Sequence, residues 1–167
     1  MTLYILRHGL AGESGDPRYP RDSERPLTPK GKRKMGCIAE AMKRLDISLD
    51  IILSSPYVRA RQTAEIVAKR FKARRRLSLL EALTPDGSPE ELVEHINTLD
   101  VPHETVLLSG HEPYLSRFIS VLIAGNPDLA IELKKGGLCK LEIETLRYDR
   151  CACIQWLLTP AQMTLMA

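Results

Sequence analysis

The sequence predicts an α/β protein, a three-layer α/β/α arrangement with a mainly parallel central sheet, formed by a single domain over residues 1–167. Three observations carry this expectation. Short apolar runs, Thr2 to Leu6, Asp50 to Leu53 and Thr105 to Ser109, each stop at a polar cluster. Longer stretches with apolar residues three and four apart stand between them, so strands alternate with helices. Strands separated by helices form parallel βαβ units with helices on both faces of the sheet.

The elements follow in order. Thr2 to Leu6 is the first strand, halted by Arg7-His8-Gly9. Leu10 to Leu27, rich in glycine, proline and charge, is a long loop. Thr28 supplies an N-cap and Pro29 the first helical position; Met35, Ile38, Met42 and Leu45 then draw one apolar helix face. Asp50 to Leu53 is the second strand, ended by Ser54-Ser55-Pro56, and a helix runs from about Pro56 to Phe71. A short strand is expected near Leu77 to Leu80. Ser88 with Glu91 three residues on forms a capping box opening a helix through Leu92, Ile96 and Leu99. Thr105 to Ser109 is a third strong strand, and a helix using Leu115, Phe118, Ile119, Leu122 and Ile123 follows Gly110-His111-Glu112-Pro113. Strands over Leu138 to Glu144 and Ala152 to Leu158 complete the sheet.

Composition excludes several classes. The 167 residues are 44% hydrophobic and 27% charged, ordinary for a globular chain and unlike a disordered or fibrous one. No apolar run approaches the roughly 18 residues of a membrane span. The first residues carry no basic segment and reach Arg7 too soon for a secretory signal, so a cytoplasmic protein is expected. The net charge of +3 is local: Lys69 to Arg76 holds six basic residues, and the remainder balances at 18 basic against 21 acidic. A nucleic-acid partner is therefore not expected, since this segment has one aromatic, Phe71, and no stacking platform. The segment could steer an acidic partner, although a solvated helix end is its plainer reading. Cys37, Cys139, Cys151 and Cys153 have no zinc-ligand spacing and read as buried free thiols. A monomer is expected.

Ligands of parallel sheets bind beyond the carboxyl ends of the strands. That rule points at Arg7-His8-Gly9, at Ser54-Ser55-Pro56 with the helix start that follows, and at Gly110-His111-Glu112. Taken singly, each has a plain structural reading: a sheet-edge cap, a solvated helical Arg59, a loop His111. Arg61 points to a different helix face and keeps that reading. Together, two arginines and two histidines on one rim suit a dianion, because a guanidinium offers a rigid fork of donors to phosphate oxygens. Helix N-termini at the same rim add backbone amides.

These residues also carry a resemblance. Leu6-Arg7-His8-Gly9, Arg25-Pro26-Leu27-Thr28 with Gly31, the run from Ser54 to Ala64, and Ser109-Gly110-His111-Glu112-Pro113 resemble the histidine phosphatase superfamily, of phosphoglycerate mutase-like fold. The branch they resemble is that of the short SixA-type phosphohistidine phosphatases. The resemblance implies that His8 is the nucleophile taking the phosphoryl group, that Arg7 and Arg59 hold its oxygens, and that His111 adds a hydrogen bond. It makes Arg25 a further anion contact, with a surface arginine as the equal alternative, and leaves Thr28 as a helix cap. No cofactor or metal is expected. Arginines beside His8 should lower its pKa and keep it able to attack.

Many members of that superfamily carry a general acid in a long insertion that is short here. Glu81 or Asp86 could protonate a leaving group, while a solvated glutamate and a turn-forming Asp-Gly are their plain readings. The short connections imply an open pocket, which suits phosphohistidine on a protein, such as a phosphotransfer domain, better than a small sugar phosphate. The runner-up is a small-molecule phosphomonoesterase on the same scaffold. A phosphate-binding regulatory module without turnover is a third reading, from a different class.

Overall fold

In a computed structural model, which describes residues 1–100 and 103–167, six strands form one sheet. They are β1 (Thr2–Arg7), β2 (Ile51–Ser54), β3 (Leu77–Leu79), β4 (Thr105–Gly110), β5 (Leu138–Ile143) and β6 (Ala152–Leu158), in the order β3-β2-β4-β1-β5-β6. The β3-β2, β2-β4 and β4-β1 pairs are parallel; β5 runs antiparallel to both β1 and β6. The expectation of a mainly parallel sheet holds, with β5 as the one reversed strand.

Alternation along β1 divides the core between two faces. Leu3 and Ile5 pack with Leu92 and Ile96 of α3 (Pro89–Asn97) and with Leu115 and Phe118 of α4 (Tyr114–Ala124). Tyr4 and Leu6 face the other way, toward α1 (Pro29–Arg44), α2 (Val58–Arg70) and α5 (Pro160–Leu165). The third layer follows directly from this split.

Helix ends show what local chemistry decides. Thr28 Oγ1 accepts from the Gly31 N–H, and Pro29 sits in the first turn as expected. Such a cap contributes about 1 kcal/mol. Ser88 Oγ accepts from the Glu91 N–H, but its hydroxyl donates to Glu90 rather than completing a box with Glu91. The full box lies at Thr159 and Gln162, opening α5, a helix the sequence reading had not drawn. Helix α2 begins at Val58, because Tyr57 is still non-helical.

The loop from Leu10 to Leu27 contains a 3-10 turn at Asp22–Glu24 and an isolated bridge between Ala11 and Leu27. All four cysteines are free, but only Cys139 is buried; Cys37 and Cys153 are exposed and Cys151 is half-buried. The expectation of buried thiols fails because β6 is an edge strand and Cys37 faces away from the α1 core. Among the described residues, no helix is long and apolar enough to cross a membrane.

Candidate active site

Register brings the rim together. Arg7 is opposite Gly110 and Ser54 is opposite Ser109, so the residues that follow β1, β2 and β4 emerge side by side. They line a cleft of about 420 Å³ with Arg7, His8, Arg25, Arg59, His111 and Glu112 on its wall. The turn after β1 is fixed by backbone bonds. His8 N–H donates to the Gly110 carbonyl, and Gly136 N–H is shared by the Arg7 and His8 carbonyls. Gly136 has φ +83° and an added Cβ would stand 2.8 Å from Ile38 Cδ1, so this contact needs glycine.

The proton on His8 can be assigned from its partners. Nδ1 lies 2.8 Å from the Gly9 carbonyl, which can only accept, so Nδ1 carries the hydrogen. Arg59 Nε–H donates to Nε2 at 3.3 Å, which requires a lone pair there. His8 is thus a neutral imidazole with an unprotonated Nε2 beside a guanidinium. Burial pulls its pKa down to about 3, against the bond to Gly9, and His111, Arg59 and Arg7 lower it further.

His111 is 1% exposed, with its ring centroid 5.3 Å from that of His8. Its Nε2 meets Ser55 Oγ at 2.9 Å, and that oxygen also accepts from the Tyr57 N–H. If the serine hydroxyl donates to Nε2, Nδ1 holds the proton. Burial, then Arg59, bring this imidazole also to about 3. His111 Nδ1 and Arg7 Nε are buried without a hydrogen-bond partner. Buried donors are ordinarily satisfied, and both of these belong to the cleft wall.

The arginines are held from behind. Arg7 Nη1 donates to the Leu133 carbonyl. Arg59 donates through Nη1 to the Asp22 carbonyl and through Nη2 to Asp22 Oδ2, each at 2.7 Å. Asp22 Oδ1 accepts from Arg25 Nε at 2.8 Å, so one carboxylate bridges two guanidiniums. Burial alone would raise the Asp22 carboxyl, but its bonds to Arg25 and Arg59 hold it below its usual value. Asp22 itself does not line the cleft. Burial lowers Arg7 and Arg59 from the usual guanidinium value, opposed by Glu112 and by Asp22 respectively; both remain cations.

The structure therefore brings His8, Arg7, Arg59, His111 and Arg25 to one cleft. Glu81 is not brought in: it is exposed at the head of a 3-10 turn outside the cleft wall, and Asp86 is exposed as well. The carboxylate beside Arg7 is Glu112, whose pKa burial raises and whose Oε1 accepts from the Ser116 N–H. Sequence reasoning passed over it as part of a motif and missed Asp22 entirely, because no local spacing links Asp22 to Arg59. The basic run from Lys69 to Arg76 precedes β3, at the end of the sheet opposite the cleft. Among the described residues, no group of three or more His, Cys, Asp or Glu could hold a metal ion.

Known proteins resemble this chain in sequence and in fold. Residues 3–84 match the family model of the histidine phosphatase superfamily (branch 1). An uncharacterised protein of Picosynechococcus sp. is 33% identical over 142 residues, covering 84% of each chain. Phosphohistidine phosphatase SixA of Escherichia coli K12 is 29% identical over 126 residues, 75% of this chain and 76% of that one. In fold, the chain resembles the protein histidine phosphatase SixA solved with tungstate, with a TM-score of 0.82 at 24% identity, over 96% of this chain and 98% of that one. The chain belongs to the histidine phosphatase superfamily, in its SixA-type branch.

Proposed function

We propose that the protein, a single domain over residues 1–167, is a phosphatase that removes the phosphoryl group from phosphohistidine on a partner protein through a phosphorylated His8. The observation that carries this reading is the pair of contacts on His8, Nδ1 to the Gly9 carbonyl and Nε2 to Arg59 Nε. A hydrogen on Nδ1 and a lone pair on Nε2 leave one nitrogen anchored and the other able to attack.

In the first step Nε2 attacks phosphorus, the P–N bond of the substrate breaks, and its electron pair leaves on the substrate imidazole, which takes up a proton. Arg7, Arg59 and the His111 Nδ1–H receive the oxygens of the transferring group, where charge stabilisation and alignment do most of the work. Arg25 adds a further cation at the wall. Water then attacks phosphorus, the P–Nε2 bond breaks, and inorganic phosphate leaves with His8 restored.

An imidazole is a good leaving group once protonated, so this substrate makes little demand on a general acid. That suits a cleft whose wall lacks Glu81, and the reading leaves Glu112, which the wall does carry, without an acid's role. The relatives' names point the same way, since two of them are phosphohistidine phosphatases or their homologues. Four free thiols suit the reducing cytoplasm.

The test compares wild type with His8→Ala on a phosphohistidine-bearing protein and on p-nitrophenyl phosphate, with acid-labile phosphate on the enzyme followed after rapid quenching. Turnover and label that both vanish in His8→Ala are expected, with the protein substrate the faster. Faster turnover of the ester would instead favour a small-molecule phosphomonoesterase. Phosphate binding with no turnover of either substrate would leave a binding module.

A further inference from the structure

A second, smaller cleft of about 190 Å³ adjoins the first and shares Leu10 and Lys135 with it. Its floor is apolar, made by buried Met35 and Ile38, and its rim carries Lys30, Lys34 and Lys135. All three lysines are exposed, and among the described residues none forms an ion pair. Lys30 and Lys34 are four residues apart on α1, so they stand on one helix face, where like charges disfavour the helix.

The placement costs stability in another way. The first turn of α1 has no acidic residue, and Lys30 and Lys32 stand at the positive end of its dipole, with Arg33 and Lys34 just beyond. A rule broken locally without a compensating contact marks a site where something else is being served. The same turn is tied rigidly to the active-site loop. Thr28 N–H and Oγ1 both donate to the Leu10 carbonyl, and an added Cβ on Gly9, beside His8, would stand 2.7 Å from Met35 Cγ.

Resting on the reading of a phosphohistidine phosphatase, we infer that this lysine-rimmed cleft is the docking surface for the partner protein, and that it fits an acidic face flanking the phosphohistidine. The partner's carboxylates would meet Lys30 and Lys34 while an apolar side chain lies on Leu10, which is 37% exposed. An apolar centre with a charged rim is the anatomy of a transient protein interface. A second phosphate of a small molecule would call for buried, fixed donors like those around His8, and exposed lysines are neither. Rim charges act mainly on association, so the effect should be salt-dependent.

The experiment uses the full chain and the double variant Lys30→Glu with Lys34→Glu, both residues exposed and outside the phosphate cleft. Three substrates are compared at low and high salt: a phosphohistidine-bearing phosphotransfer domain, p-nitrophenyl phosphate and 2,3-bisphosphoglycerate. The expected result is a fall of tenfold or more in kcat/KM for the protein substrate at low salt, through KM, with p-nitrophenyl phosphate within twofold of wild type. Wild-type turnover of the protein should itself fall as salt rises. An equal loss on p-nitrophenyl phosphate, no loss on the protein, or a loss confined to the bisphosphate overturns the docking surface. Wild type that ignores the phosphorylated protein yet hydrolyses the ester overturns the parent reading instead.

Discussion

Acidification should destabilise this protein through its two active-site imidazoles. Both stand near a pKa of about 3 in the folded state, against about 6.5 when unfolded. Between those values the unfolded chain binds more protons, so stability is complete above pH 6.5 and is lost as pH falls toward 3. For one such imidazole, moving from pH 7.5 to pH 5.0 costs about 2 kcal/mol, and the pair reaches about 4 kcal/mol when its members act independently. The lowered carboxyls of Asp22, Asp50 and Glu142 yield only below the usual carboxylate range and stay out of this window. Glu112, raised by burial, works in the opposite sense and returns some stability as pH falls.

The assay is urea unfolding at the two pH values, followed by circular dichroism and by fluorescence of Trp156, the one tryptophan. Wild type is compared with the double variant His8→Asn and His111→Asn, which keeps His95 and His103. A wild-type loss of 2–4 kcal/mol that shrinks by more than half in the variant is expected. A flat wild-type profile, or the same loss in both proteins, would refute the assignment of neutral buried imidazoles.

Two further outcomes follow from named contacts. Asp22→Asn removes the charge that braces Arg59 and Arg25, so kcat should fall about tenfold while inhibition by inorganic phosphate tightens, because a carboxylate near the anion is gone; unchanged kcat and phosphate inhibition would show that the brace does nothing. Gly31→Ala places a Cβ 2.1 Å from the Leu10 carbonyl oxygen. Overpacking of about 1–3 kcal/mol should exceed the roughly 1 kcal/mol that alanine gains inside a helix, lowering the urea midpoint, and a stabilised variant would contradict that contact.

The rim was legible in the sequence because it obeys local rules. Apolar runs end where the strands end, and the polar residues that stop β1, β2 and β4 fall on one edge of any parallel sheet. The same rule says nothing about what lies behind an arginine. Asp22 reaches Arg59 only because the loop from Leu10 to Leu27 folds across the head of α2, a tertiary event with no period to read. Glu81 and Asp86 stood as the candidate acids and Glu112 only as part of a motif, because position in the chain says nothing about the wall of the cleft. The box at Thr159 and Gln162 was legible and passed unread; a threonine, a proline and a glutamine at those offsets announce a helix. Cysteine exposure was not legible, since strand alternation cannot tell an edge strand from a central one.

The place of β1 in the middle of the sheet governs how the chain comes to fold. It is made before both of its neighbours, β4 starting at Thr105 and β5 at Leu138. At ribosomal speeds that interval is on the order of 10 s. Throughout it Leu3, Ile5 and Leu6 have no strand on either side, and such late, distant pairings make folding slow and expose apolar edges to aggregation. The carbonyls of Arg7 and His8 wait longer still, for the N–H of Gly136. A chain stalled before that residue carries every arginine and histidine of the rim, yet lacks the strand and the amide that aim them. The cleft thus depends on a strand and an amide that come later in the chain than any arginine or histidine of its rim.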